Sequence, residues 1–138
     1  MNKRPPSNIR LLEQEYRMLI TDIRDGDGSG LLSSRSCQRY TFLLSNGSRL
    51  RITERISGEY IDYSYYDWEL PDGRVIKFHS EPHNDDSRYQ TVTEPHHIHP
   101  PDEDRLHNIV RYPNFHHQEL SAIIEMIFIT VIQEGHTP

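Results

Sequence analysis

The chain has one cysteine, Cys37, in 138 residues. A single thiol excludes an internal disulfide, a zinc ribbon and a paired-thiol redox motif. Lysine is nearly as scarce: Lys3 and Lys77 are the only two, and every other cationic side chain is arginine. No Gly-rich phosphate loop is present, which argues against a nucleotide-modifying enzyme. Long apolar runs are also lacking. The one extended stretch, "LSAIIEMIFITVI", is interrupted by Glu125 and too short to cross a bilayer comfortably. "MNKRPPSN" has no apolar segment behind its basic residues, so no secretory signal and no membrane association are expected, and the protein is expected in the cytoplasm.

A net charge of -6 argues against a generally basic nucleic-acid binder. Arginine suits bidentate phosphate contacts, however, and leaves room for a local cationic face. The hydrophobic fraction is 34% with a mean hydropathy of -0.78. The apolar residues are clustered, so one domain spanning 1–138 is expected, long enough for a core without staples.

Ile9, Leu12, Tyr16, Leu19, Ile20 and Ile23 recur at helical spacing and predict a helix over about 8–24, capped by Ser7 or Asn8. "RDGDGSG" ends it. Asp25, Asp27 and Ser29 alternate like the start of a calcium loop, but Ser36 stands where the closing bidentate acid is needed, so a plain linker is expected. Antiparallel strands follow over about 38–80. "RYTFLLSNGSRLRITERI" is two alternating runs joined by Asn46-Gly47, a strong hairpin signal. Its second run sets Leu50, Ile52, Glu54 and Ile56 against Arg49, Arg51, Thr53 and Arg55. Glu54 thus faces the apolar side, where a carboxylate needs a partner or a function.

"EYIDYSYYDWEL" carries aromatics on both faces, as suits a central strand whose tyrosines pack across the sheet or stack on bases. "PDG" then turns the chain into "RVIKFHSE". A His-rich loop is expected over about 81–105, with "RLHNIVRY" as a short further strand, and a closing helix over about 115–133 capped by Asn114. That helix is apolar nearly all round, which suits burial or a homodimer contact. The fold class is α+β: an antiparallel sheet of four to six strands flanked by an N-terminal and a C-terminal helix.

Eight of the nine histidines lie between His79 and His117. One reading is a metal site of the zinc or nickel class, with His96 and His99 or His97 and His99 as a local pair joined by His83 or His79; the favoured set is His83, His97 and His99. A second is a metal-free acid–base site, since imidazole titrates near neutrality. A third is structural histidine that caps turns or bonds carbonyls. Prolines around "HHIH" exclude the helical metalloprotease signature.

The segment from Gly47-Ser48 through Glu54, Tyr63-x-Tyr65, Pro71-Asp72-Gly73, Pro82-His83 and Pro95-His96-His97-Ile98-His99 resembles the TumE-type toxin family of prokaryotic toxin–antitoxin modules. Asn84 stands where that family pattern has a second histidine after Pro82. The resemblance covers roughly residue 40 onward and implies a toxin paired with a helix-turn-helix antitoxin.

Joined to the arginine-rich cation set, the resemblance leads to a toxin acting on RNA as an endoribonuclease through a histidine acid–base site that requires no cofactor. His83, His96, His97, His99, Glu54, Tyr63 and Tyr65 are its catalytic candidates. Arg51, Arg55 and Arg74 are the candidates for phosphate contact. The alternative is a non-catalytic metal-binding or partner-binding module with a structural histidine cluster.

Overall fold

The computed structural model describes residues 3–81, 91–101 and 111–135. Among the described residues, a short helix, α1 (Ile9–Glu15), precedes seven strands: β1 (Ile20–Asp25), β2 (Cys37–Leu44), β3 (Arg49–Ser57), β4 (Tyr60–Glu69), β5 (Val75–Ser80), β6 (His96–His99) and β7 (Tyr112–Pro113). The helix α2 (Leu120–Gln133) follows. The strands form one sheet in sequence order, each antiparallel to its neighbour. The α+β class and the flanking helices agree with the sequence pattern; the sheet has one strand more than the upper expectation.

Alternation decides the faces. Phe42, Leu50, Ile52, Tyr66, Trp68 and Phe78 are buried on one face of the sheet. Leu12 of α1 and Leu120, Ile123, Ile124, Ile127 and Val131 of α2 complete the same core. Tyr16 meets Phe128 edge-on at 5.7 Å, tying the two helical segments together. Both helices therefore cover one face, and each large apolar side chain buried there contributes about 1.5–3 kcal/mol. The other face carries polar side chains.

The first helix stops at Glu15, well short of residue 24. Tyr16 ends it, and its carbonyl accepts from the amides of Leu19 and Ile20. Ile20–Asp25 then pairs with β2, burying Ile20 while Leu19 is enclosed beside it. Apolar positions spaced for a helix also fit this turn-and-strand path, and pairing with the hairpin decides between them.

Asn46-Gly47 makes the expected turn, with Gly47 at φ +86°. The expected His-rich loop contains β6, because residues 96–99 find backbone partners along β5. The closing helix begins at Leu120, not near 115. The Asn114 side chain is engaged with the backbone of His117 in a preceding turn, and Glu119 occupies the helix N-cap. Most of "RLHNIVRY" lies outside the described residues, as does His83.

Candidate functional site

The polar face takes its chemistry from the register of β3 to β6. Across an antiparallel pair, directly opposed residues point to the same side. One row runs Thr53, Tyr65, His79, His97; the next runs Arg51, Asp67, Lys77, His99. Arginine, tyrosine, aspartate and three histidines thus share one surface.

Three imidazoles converge there. The rings of His79 and His99 are 4.9 Å apart, as are those of His97 and His99, while His79 and His97 are 5.9 Å apart. The rings stand edge to face, and one nitrogen from each residue lies within 4.8 Å of the others. His97 and His99 are buried, whereas His79 reaches the edge of an open cleft. Nε2–H of His79 donates to Asp67 Oδ1 at 2.9 Å. Its Nδ1 is buried and has no hydrogen-bond partner among the described residues. Glu94 Oε1 stands 3.9 Å from His97 Nδ1.

The cleft, about 350 Å³, is lined by the loop Asp27-Gly28-Ser29 and by Arg51, Thr53, Tyr65, Asp67 and His79. Asp27 is not free to begin a calcium site. Its carboxylate accepts from Thr53 Oγ1 and from the Ser29 amide, and Arg39 lies beside it. These bonds fold the loop onto the sheet. A Cβ added at Gly28, where φ is +86°, would stand 3.1 Å from Arg51 Nε. Arg51 is also held by Glu69 at 3.2 Å. Tyr65 packs against His79 at 4.7 Å and donates its hydroxyl to Glu81. Burial, then the Glu81 carboxylate, push the Tyr65 phenol well above its ordinary pKa, so it stays protonated.

The other sequence candidates divide. Tyr63 neighbours Tyr65 at 5.5 Å on the cleft side, and Arg55 is exposed opposite Tyr63. Arg74 lies in the turn after β4, bonded to Asp72. Glu54 does not join the histidines, because alternation sends it to the helix-covered face. There it accepts from the Ser7 amide, the Ser7 hydroxyl, Gln38 Nε2 and the Tyr66 hydroxyl. Four donors satisfy a carboxylate for which the strand pattern alone offers no partner.

His96 also leaves the cluster. It points opposite to His97, is buried, and lines a separate cavity of about 590 Å³ with Arg4 and Glu94. Burial, helped by Arg4, lowers its pKa to about 4 and keeps it neutral.

His79 and Asp67 take the central positions. Strand alternation carries a signal for both: "EYIDYSYYDWE" puts Asp67 on the face of Tyr63 and Tyr65, and "RVIKFHSE" puts His79 on the face of Lys77.

A family model described as Toxin TumE matches residues 7–133. The chain belongs to the TumE toxin family. The match takes in every strand and both helices, so the histidine cluster and its cleft are built within the family domain. This TumE-family chain is thus the toxin component of a toxin–antitoxin module, and a cognate antitoxin follows from that membership. No curated protein and no solved structure matches the chain.

Proposed function

We propose that this TumE-family toxin acts on RNA as an endoribonuclease, in the cytoplasm, through acid–base chemistry at the Asp67–His79 edge of the cleft. The observation that carries this is the 2.9 Å His79–Asp67 hydrogen bond on a wall that also holds Arg51. In the reaction, an RNA 2′-hydroxyl attacks the adjacent phosphorus. The O2′–P bond forms, the P–O5′ bond breaks, and a 2′,3′-cyclic phosphate and a 5′-hydroxyl result.

The proton leaving the 2′-oxygen goes to the Asp67 carboxylate, which His79 orients through Nε2–H. Nδ1 of His79 is buried, so exchange runs along the Nε2–Asp67 edge. Arg51 supplies positive charge to the phosphorane, whose charge grows in the transition state. The leaving 5′-oxygen takes its proton from water in the open cleft; Tyr65 keeps its own proton, bonded to Glu81, and packs His79 in place, and Tyr63 offers a ring on which a base can stack. His97 and His99 back His79 from within the sheet.

The antitoxin partner is read as a helix-turn-helix protein from the family resemblance. About half of Ile129 and of Ile132 on α2 is exposed, which supports contact of this helix with a second copy. Among the described residues, no helix is long and apolar enough to cross a membrane.

The test incubates purified tag-free protein with RNA, with and without EDTA, beside His79→Gln and a His97→Ala/His99→Ala double variant. Wild type is expected to cut in both tubes and leave cyclic phosphate ends, while both variants lose activity. Uncut RNA in every tube would sink the proposal.

A further inference from the structure

His97 and His99 are two residues apart on one strand, so both project from the same face, and His79 projects beside them from the adjoining strand. The backbone ladder fixes all three roots. A tetrahedral zinc-class ion needs bonds of about 2.0–2.1 Å, which brings its ligand atoms to about 3.3 Å of one another. The three nitrogens already lie within 4.8 Å, so rotations of the side chains by a fraction of a ring width close the set. No movement of the sheet is required.

The partners of the rings have the form that metal-ligating histidine needs. A ligating imidazole commonly donates its other N–H to a carboxylate, which sets the tautomer and raises the basicity of the ligating nitrogen. Asp67 receives Nε2–H of His79, and this leaves Nδ1, buried and without a hydrogen-bond partner among the described residues, as the lone-pair nitrogen. Glu94 also lies near His97, at 3.9 Å, beyond hydrogen-bond distance. An all-imidazole set suits zinc, cobalt, nickel or copper, whereas magnesium and calcium require oxygen ligands.

We propose that His79, His97 and His99 form a site for a single divalent transition-metal ion, oriented by Asp67, and that filling it switches off the acid–base edge. The proton exchange runs along the Nε2–Asp67 edge; an ion on Nδ1 draws electron density from the ring, strengthens Nε2–H as a donor to Asp67 and leaves the pair a weaker base. The dication also opposes any further positive charge on the pair. The metal site rests on the convergence of the three imidazoles alone; its inhibitory effect rests on the proposed ribonuclease activity.

The experiment uses full-length, tag-free protein stripped with chelator. Zinc is titrated by calorimetry and cobalt by its visible absorption. One ion per chain is expected, with cobalt bands typical of tetrahedral nitrogen ligation. His99→Ala and His79→Gln should each weaken binding at least about 100-fold, and Asp67→Asn by about 10–100-fold. His116→Ala, outside the cluster, should bind as wild type does, and circular dichroism checks that each variant is folded.

In parallel, one equivalent of zinc should slow RNA cleavage at least about tenfold, with recovery on adding chelator. No binding, or binding indifferent to both His79→Gln and His99→Ala, overturns the metal site. Faster cleavage with zinc overturns the inhibitory role. One zinc bound, with RNA uncut in every tube, supports the site and removes the ribonuclease reading.

Discussion

His79 and Asp67 meet diagonally across β4 and β5, with Nε2 and Oδ1 2.9 Å apart. Neither stands directly opposite the other in the ladder, where Tyr65 faces His79 and Lys77 faces Asp67. Diagonal neighbours on one sheet face come within reach of long and aromatic side chains. The contact therefore depends on register: a slip of one residue would send one partner to the opposite face.

Replacing Asp67 with asparagine keeps an acceptor near Nε2 and removes the carboxylate that takes up the proton. RNA cleavage should fall by about 10²–10⁴-fold, as for loss of general acid–base catalysis. Stability should change by less than about 1 kcal/mol, because the carboxylate is partly exposed. Single-turnover rates beside urea melts check both halves. An active Asp67→Asn protein would move the chemistry elsewhere.

Glu54→Ala should act on stability. Removing the carboxylate leaves the Tyr66 hydroxyl, Ser7 and Gln38 without their common acceptor in a buried setting. A loss of about 3 kcal/mol is expected. Cleavage per folded molecule should stay within about twofold of wild type, which separates this residue from the cleft. A large fall in activity with an unchanged melting curve contradicts that assignment.

Gly28 and Gly30 both have positive φ, but only a Cβ at Gly28 approaches Arg51. Alanine at either position should cost about 1 kcal/mol or more from backbone strain. Gly28→Ala should in addition displace the loop or the guanidinium and slow cleavage several-fold beyond Gly30→Ala. Equal rates for the two variants would show that the loop does not position Arg51.

His96 predicts a pH dependence. Its folded pKa is lowered to about 4 by burial and then by Arg4, against about 6.5 for an unfolded histidine. Between these values the unfolded chain binds the proton and the folded chain does not. The stability tied to neutral His96 is thus fully present above about pH 6.5 and is lost as pH falls towards 4. Melting temperatures of wild type and His96→Gln, compared across this window, should converge as pH drops. A constant difference is the contrary result.

Much of the sheet is legible in the residue pattern. Asn46-Gly47 marks the first hairpin, and the alternation of Leu50, Ile52 and Glu54 against Arg51 and Thr53 assigns two faces. The ends of the fold are less legible. Leu19, Ile20 and Ile23 fit helical spacing and still form a turn and an edge strand, since short apolar runs follow whichever partner buries them. Prolines around "HHIH" suggest a loop, yet residues 96–99 form a strand because β5 offers its edge.

Residue identity and spacing are enough to establish the strand alternation, the abundance of histidine, the scarcity of thiol and lysine, and the resemblance to the TumE family. Those properties follow from composition and from the order of residues along the chain. Which face each segment shares with its neighbours depends on the assembled sheet. Strand pairing brings His79, His97, His99, Asp67 and Arg51 to one surface and sends Glu54 and His96 to the other. The physical reason is that side chains alternate within a strand, while their relation between strands is set by hydrogen-bond register.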